Sequence, residues 1–180
     1  MTRWIAFLRA VNVGGHTVKM ETLREIFTAA GLARVETFIA SGNVIFEAED
    51  GFHLDLKAHI ESHLRENLGY QVDVFLRTAT EVAAIAAYQP FSPLMLEKAA
   101  ALNIAFLSAP VDDLSQVKLQ AFTTDIDYFH AQRGEVYWLC LKKQSESTFS
   151  NAVLEKTLGV RSTIRGINTI LKLAGKYPPD

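Results

Sequence analysis

Two short polar segments carry residue types that bind ligands. Asn12-Val13-Gly14-Gly15, leading through Lys19 into a helical pattern, offers glycines that turn with positive φ and present backbone amides. The helix N-terminus beyond them favours anions. Ser41-Gly42-Asn43 offers a hydroxyl and an amide in what reads as a hairpin turn. With Arg9 just upstream, Arg9, Asn12, Gly14, Gly15, Lys19, Ser41, Gly42 and Asn43 make a first candidate site for a small anionic or polar ligand. The spacing fits neither G-x-G-x-x-G nor the phosphate loop, which needs Gly-Lys followed by Ser or Thr. A tight turn and a hairpin with purely structural roles is the competing reading.

A second candidate lies near the C-terminus. Arg165 and Gly166 precede a helix start, Asn168 and Thr169 fall in its first turn, and Arg161 and Lys172 are near. Arginine beside helix amides is a workable receptor for phosphate or carboxylate. The alternative is that Arg165 and Asn168 hold the last helix to its domain. Asp55, His59 and His63 recur every four residues, and a His pair at that spacing can hold a metal. Glu61, Arg65 and Glu66 mark the same helix's outer face as charged and solvated, so no metal site is expected. No nucleophile elbow surrounds Ser41, which follows Ile39-Ala40. Cys140 sits in an apolar strand beside Trp138 and Leu139 and reads as an inert small hydrophobe. No cofactor is expected.

Bulk properties narrow the class. The chain has 180 residues, 49% hydrophobic and 21% charged, which is ordinary globular usage. No apolar run reaches the roughly 20 residues that cross a bilayer. The N-terminal Met1 to Arg9 reads as a first strand, and the single cysteine fits a reducing cytoplasm. Net charge is −2, unevenly spread. Residues 142–180 hold seven Lys/Arg against three acids, and residues 1–141 hold eleven against seventeen. Such asymmetry marks either a local anion site or two differently solvated surfaces.

The elements that would position these residues alternate along the chain. Ile5–Val11 reads as a strand. Leu23, Ile26, Phe27 and Ala30 follow helical spacing. Strands at 35–39 and 44–46, a helix through Leu56, Ile60 and Leu64, and a strand at 72–76 complete βαββαβ. Thr78 and Glu81 form a capping box opening a helix that Pro90 and Pro93 end. The order then repeats: strand 102–107, helix 114–122, strands 126–131 and 136–141, helix 151–158, strand 160–164. A last helix bears Ile167, Ile170, Leu171 and Ala174 on one face. The expected fold is α+β: tandem ferredoxin-like βαββαβ modules with antiparallel sheets and a C-terminal helix. Module one is assigned to 1–77, a helical connector to 78–100, and module two with the final helix to 101–180. The halves share pattern rather than residues, as an ancient internal duplication would leave them. In such a module the loop after the first strand and the central hairpin share one sheet end, so 12–15 and 41–43 should be neighbours.

Three segments in order, Leu8-Arg9-Ala10-Val11-Asn12-Val13-Gly14-Gly15, Ser41-Gly42-Asn43-Val44-Ile45-Phe46 and Arg165 to Leu173, resemble the bacterial domain-of-unknown-function family 1697. The resemblance implies paired ferredoxin-like modules and no assigned activity. The family pattern has Gly where Ala10 stands and Asn-Trp where Gly166-Ile167 stand, while Arg165, Asn168 and Thr169 keep it.

In the first module Phe38, Ile45 and Phe75, with Glu36, Glu47, Asp73 and Arg77, fall on the sheet face away from the helices. Ile5, Phe7, Arg9 and Val11 join them. A face this apolar suits contact between domains or between copies of the chain. It lacks the Arg/Lys-Gly-Phe signature of RNA readers, and its acids repel phosphates. Three functions stay open: binding a small anionic metabolite, a metal-independent transferase or hydrolase, and an interaction module using the sheet face.

Overall fold

The computed structural model describes residues 1–12, 14–39, 42–51 and 55–179. The first half runs β1 (Thr2–Arg9), α1 (Met20–Ala29), β2 (Ala33–Thr37), β3 (Asn43–Ala48), α2 (Leu56–Leu68), β4 (Asp73–Thr78). Two helices follow, α3 (Ala79–Ala87) and α4 (Pro93–Lys98). The second half runs β5 (Ala101–Leu107), α5 (Asp113–Gln120), β6 (Asp127–Gln132), β7 (Glu135–Cys140), α6 (Asn151–Leu158), β8 (Ser162–Gly166), and α7 (Ile167–Lys176) closes the chain. Each half forms a four-stranded antiparallel sheet, ordered β2-β3-β1-β4 and β6-β7-β5-β8. The βαββαβ order read from the sequence is therefore present twice, in an α+β fold.

The capping box at the end of β4 forms as the spacing requires. The Glu81 amide donates to Thr78 Oγ1 at 3.2 Å, and the Thr78 amide donates to Glu81 Oε2 at 2.7 Å. Helix α4 was not expected, because its prolines were read as stops. Ser92 Oγ accepts from the Met95 amide and Pro93 occupies the first helical position, where its missing N–H costs nothing.

By compactness the chain forms two units, Met1–Ala84 with Leu173–Asp180, and Ile85–Lys172. Whereas the sequence reading puts all of 101–180 in module two, the last turn of α7 groups with the first unit. In that unit α1 and α2 bury Leu23, Ile26, Phe27, Ile60 and Leu64 against Ala6, Leu8, Val44, Phe46 and Val74 of the sheet. Alternation along the strands accounts for this set. Two assignments need correcting. Val11 joins the helix-side core, because β1 ends at Arg9 and Ala10 turns with φ +60. Ile39 stands exposed beyond the end of β2, with φ +51.

The opposite face of this sheet carries the apolar residues that alternation assigns to it. Ile5, Phe7, Ile45 and Phe75 are all buried, so they offer no free surface to a second copy of the chain. Tyr177 seats at its edge: its hydroxyl donates to Glu36 Oε2 at 2.7 Å, and its ring meets Phe38 edge-on. Lys176 Nζ also reaches Glu36 at 3.3 Å, and Arg3 donates to the Pro178 carbonyl at 2.9 Å. The Tyr177 hydroxyl, helped by Lys176, holds the Glu36 carboxyl below its ordinary pKa against a smaller opposing push from burial. A depressed acid stabilises the fold above its unfolded pKa and loses that contribution as pH falls through the folded value. The last turn of α7 should therefore loosen at acidic pH, below the ordinary carboxylate range. Hydrogen exchange at the Tyr177 amide, which donates to Leu173, should accelerate there beyond its intrinsic rate. Tyr177→Phe should remove most of that acid step; an unchanged step would mean that Glu36 is not the latch.

In the second unit Phe129, Trp138 and Phe149 form an aromatic nest, with Phe149 centred 4.4 Å from Phe129 and 5.1 Å from Trp138. Leu119 and Leu154 of α5 and α6 close it. Asp127, 2% exposed, accepts from Trp138 Nε1 at 2.8 Å and from Ser147 Oγ at 2.8 Å.

Candidate functional site

The loop after β1 and the β2–β3 hairpin meet, as their topology requires. A β-carbon added at Gly42 would stand 3.1 Å from Val11 Cγ1 and 3.2 Å from Leu8 Cβ. Part of the first candidate set is engaged in structural contacts within the fold. Asn12 Oδ1 accepts from the Val18 amide at 2.8 Å, so the loop's own backbone uses it. Asn43 is fully buried and donates to the Phe38 carbonyl at 3.0 Å, pinning the hairpin. Arg9 Nη1 lies 3.6 Å from Asp73. Tyr70 donates its hydroxyl to the Val11 carbonyl at 2.8 Å and stacks on His16, and burial raises its pKa. Gly14 and Gly15 turn with φ +63 and +83 and are exposed. Lys19 occupies the N-cap of α1 without capping it through its side chain, and Glu21 follows in the first turn. Ser41 lies outside the described residues.

One histidine of the α2 pair is likewise engaged: His59 Nε2 sits 2.9 Å from the Ala30 carbonyl, and Asp55 caps the helix through the Ala58 amide. Among the described residues no group of three or more His, Cys, Asp and Glu could hold a metal. Nor does any helix there have the length and apolarity to cross a membrane.

The C-terminal set is split by strand alternation. Arg165 and Gly166 are successive residues of β8 and so point to opposite faces. Arg165, 8% exposed, donates to Thr163 Oγ1 at 2.8 Å and to the Ile164 carbonyl at 2.9 Å. Burial lowers its pKa to about 10, still well above neutrality. Gly166 faces the other way, where it pairs with Asn103 of β5. There the β8–α7 junction, the segment after α3, and the run from α4 into β5 enclose an open cavity of about 480 Å³. Such a volume falls within the ordinary range of small-molecule sites.

The cavity's polar groups are few. Asn103 is 7% exposed, and its Nδ2 has no hydrogen-bond partner among the described residues. An amide donor buried in this way costs roughly 1–3 kcal/mol unless something accepts from it. Its Oδ1 lies 4.0 Å from the point where a β-carbon of residue 166 would stand. Gly166 therefore leaves the space beside this amide unfilled. Directly after it α7 begins, and a helix leaves its first N–H groups without intrahelical acceptors. Gly166 has no side chain with which to cap them. Asn168 and Gln89 complete the polar lining. Tyr88, Pro90, Leu96, Leu102, Ile167 and Leu171 supply apolar walls. Tyr88 is fixed by a 2.9 Å hydrogen bond between its hydroxyl and His130 Nε2. Thr169, from the candidate set, is not among the lining residues.

Asn103 escaped the sequence reading. Its signal was a lone amide inside the apolar run Ala101-Leu102-Asn103-Ile104-Ala105-Phe106-Leu107, where a polar side chain needs a partner.

Comparison with known proteins adds family and fold. The family described as protein of unknown function (DUF1697) matches residues 1–137. Tyr88 and Asn103 fall inside the matched region, and the α7 side of the cavity falls outside it. The solved structure of the conserved bacterial protein SP0830 from Streptococcus pneumoniae is similar, with a TM-score of 0.75 over 98% of each chain at 22% identity. At that identity the likeness bears on the fold alone. No curated protein matches the sequence.

Proposed function

The chain belongs to the DUF1697 family of proteins of unknown function, and we propose that this member binds a small anionic or polar ligand in the cavity at the start of α7. One observation carries the reading: the Asn103 amide lines this cavity, is buried, and has a donor for which no acceptor stands among the described residues. Native proteins rarely leave such a donor without an acceptor, and a bound ligand that accepts from it would account for this one. Binding suits the cavity better than catalysis. Its lining holds no carboxylate, imidazole, thiol or amine, so it lacks an activated nucleophile or a proton carrier with a pKa near neutrality.

Thermal unfolding against a panel of carboxylates, sugar phosphates, nucleotides and neutral amides tests this. A ligand at one hundred times its dissociation constant adds about 2.7 kcal/mol, which raises Tm by about 5–10 °C in a chain of this size. Asn103→Leu, which removes the donor at similar volume, should abolish the shift while the variant stays folded. A shift that survives in Asn103→Leu, or no shift with any member of the panel, overturns the proposal.

A further inference from the structure

An edge strand presents backbone groups that recruit another strand unless something blocks them. The edges are β2 and β4 in the first sheet and β6 and β8 in the second. At β4 the Val74 amide donates to Glu61 Oε1 of α2 at 2.9 Å, and at β8 the Ser162 amide donates to Glu155 Oε1 of α6 at 2.7 Å. The two halves thus set a glutamate from corresponding helices against corresponding strands. β2 is protected differently. Its register shifts between Ala33 and Glu36, and Arg34 turns with φ +48. Such an irregularity spoils an edge for pairing.

β6 has no such break, for it pairs with β7 in unbroken register from Asp127↔Cys140 to Gln132↔Glu135. Nor does Asp127-Tyr128-Phe129-His130-Ala131-Gln132 contain the lysine or proline that commonly blunts an edge. What covers it is α5. Gln116 Oε1 accepts from the Ala131 amide at 2.6 Å, and Gln120 Nε2 donates to the Phe129 carbonyl at 3.1 Å. Both backbone groups face away from β7. The Leu141 amide donates to the Ile126 carbonyl, which turns the even-numbered residues toward β7 and the odd-numbered ones outward. Two glutamines one helical turn apart share a helix face. Here they occupy an N–H and a C=O that an added strand would use.

We propose that Gln116 and Gln120 hold the β6 edge closed against a second copy of this chain, and that without them β6 pairs with its own copy. The strand is suited to itself. Antiparallel pairing about a two-fold axis at Phe129 sets Asp127 opposite Ala131 and Tyr128 opposite His130, so no two acids face each other. The β6–β7 ladder is left intact, because the new bonds form on the outer side.

Sedimentation of the full chain and of Gln116→Ala/Gln120→Ala over a range of concentrations tests the pairing. The double variant should dimerise with a dissociation constant lower than the parent's by about tenfold or more. Adding Ala131→Pro should return it to the parent's behaviour, since proline lacks the outward N–H and is tolerated on an edge strand. Hydrogen exchange tests the cover itself. In dilute Gln116→Ala the Ala131 amide should exchange about tenfold faster than in the parent, and it should slow again as concentration rises. Gln116→Glu keeps an oxygen acceptor and should keep the protection. A folded double variant that stays monomeric overturns the proposal, as does a dimer that survives Ala131→Pro. So does unchanged exchange at Ala131 in Gln116→Ala. Should the double variant fail to fold, Gln116→Ala alone decides by the same two readings.

Discussion

Gly42→Ala should destabilise the protein by about 2–5 kcal/mol, although it adds a single methyl group. Two costs combine. Gly42 turns with φ +75, a conformation that costs an L-residue roughly 1–2 kcal/mol. The new carbon would also press on Val11 Cγ1 at 3.1 Å, Leu8 Cβ at 3.2 Å and the Leu8 carbonyl at 3.4 Å. Relieving such crowding in a packed corner costs about 1–3 kcal/mol. The neighbours cannot easily yield, because the Leu8 amide donates to the Gly42 carbonyl at 2.8 Å and Leu8 belongs to the core. Gly15→Ala is the control. It too has positive φ, at +83, yet its β-carbon would meet nothing within 4 Å. Urea unfolding should show Gly15→Ala losing only the backbone component. Equal losses at the two sites would remove crowding from the account.

A loss of about 3–5 kcal/mol is expected for Asp127→Ala. The carboxylate is almost fully buried and joins the sheet to the segment after β7. It accepts from Trp138 Nε1 and Ser147 Oγ, each at 2.8 Å, and from Thr124 Oγ1 at 3.4 Å. Hydrogen bonds to a charged acceptor contribute about 1.5–3 kcal/mol each, and an indole N–H left buried without an acceptor costs a further 1–3. Asp127→Asn retains one oxygen acceptor at the same size and should cost much less. Trp138 fluorescence reports the unfolding directly. An alanine variant within 1 kcal/mol of the parent would show that water replaces the carboxylate and that the network adds little.

The fold was legible because its periodicities are strong and local. Strands such as Asn43–Ala48 and helices such as Leu56–Leu68 carry alternation or i, i+4 spacing with little interruption, and the capping box at Thr78 is a sequence pattern with one geometry. The misreadings lie where local rules conflict. Pro93 reads as a stop, yet after Ser92 it is a start. Ala10 and Ile39 take positive φ without being glycine, so alternation runs on past the true strand ends and misplaces Val11 and Ile39. The candidate site was legible only in part. Gly166 and Asn168 stood out because they precede or open a helix. Arg165 stood out too, but one residue of strand alternation sends it to the other face. Asn103 is separated from them by about sixty residues of chain, and only the β5–β8 pairing brings it opposite Gly166.

The grouping of Leu173–Asp180 with the first unit has a consequence for synthesis. Glu36 emerges from the ribosome long before its partners, since Lys176 and Tyr177 follow it by 140 and 141 residues. At ordinary translation rates that interval is on the order of ten seconds. Throughout it, β2 exists without the ring and hydroxyl that finish its edge, however early the strands around it have paired. The first unit is thus completed by a segment made long after its sheet, and the nascent chain waits with an unfinished sheet edge until α7 is free of the exit tunnel.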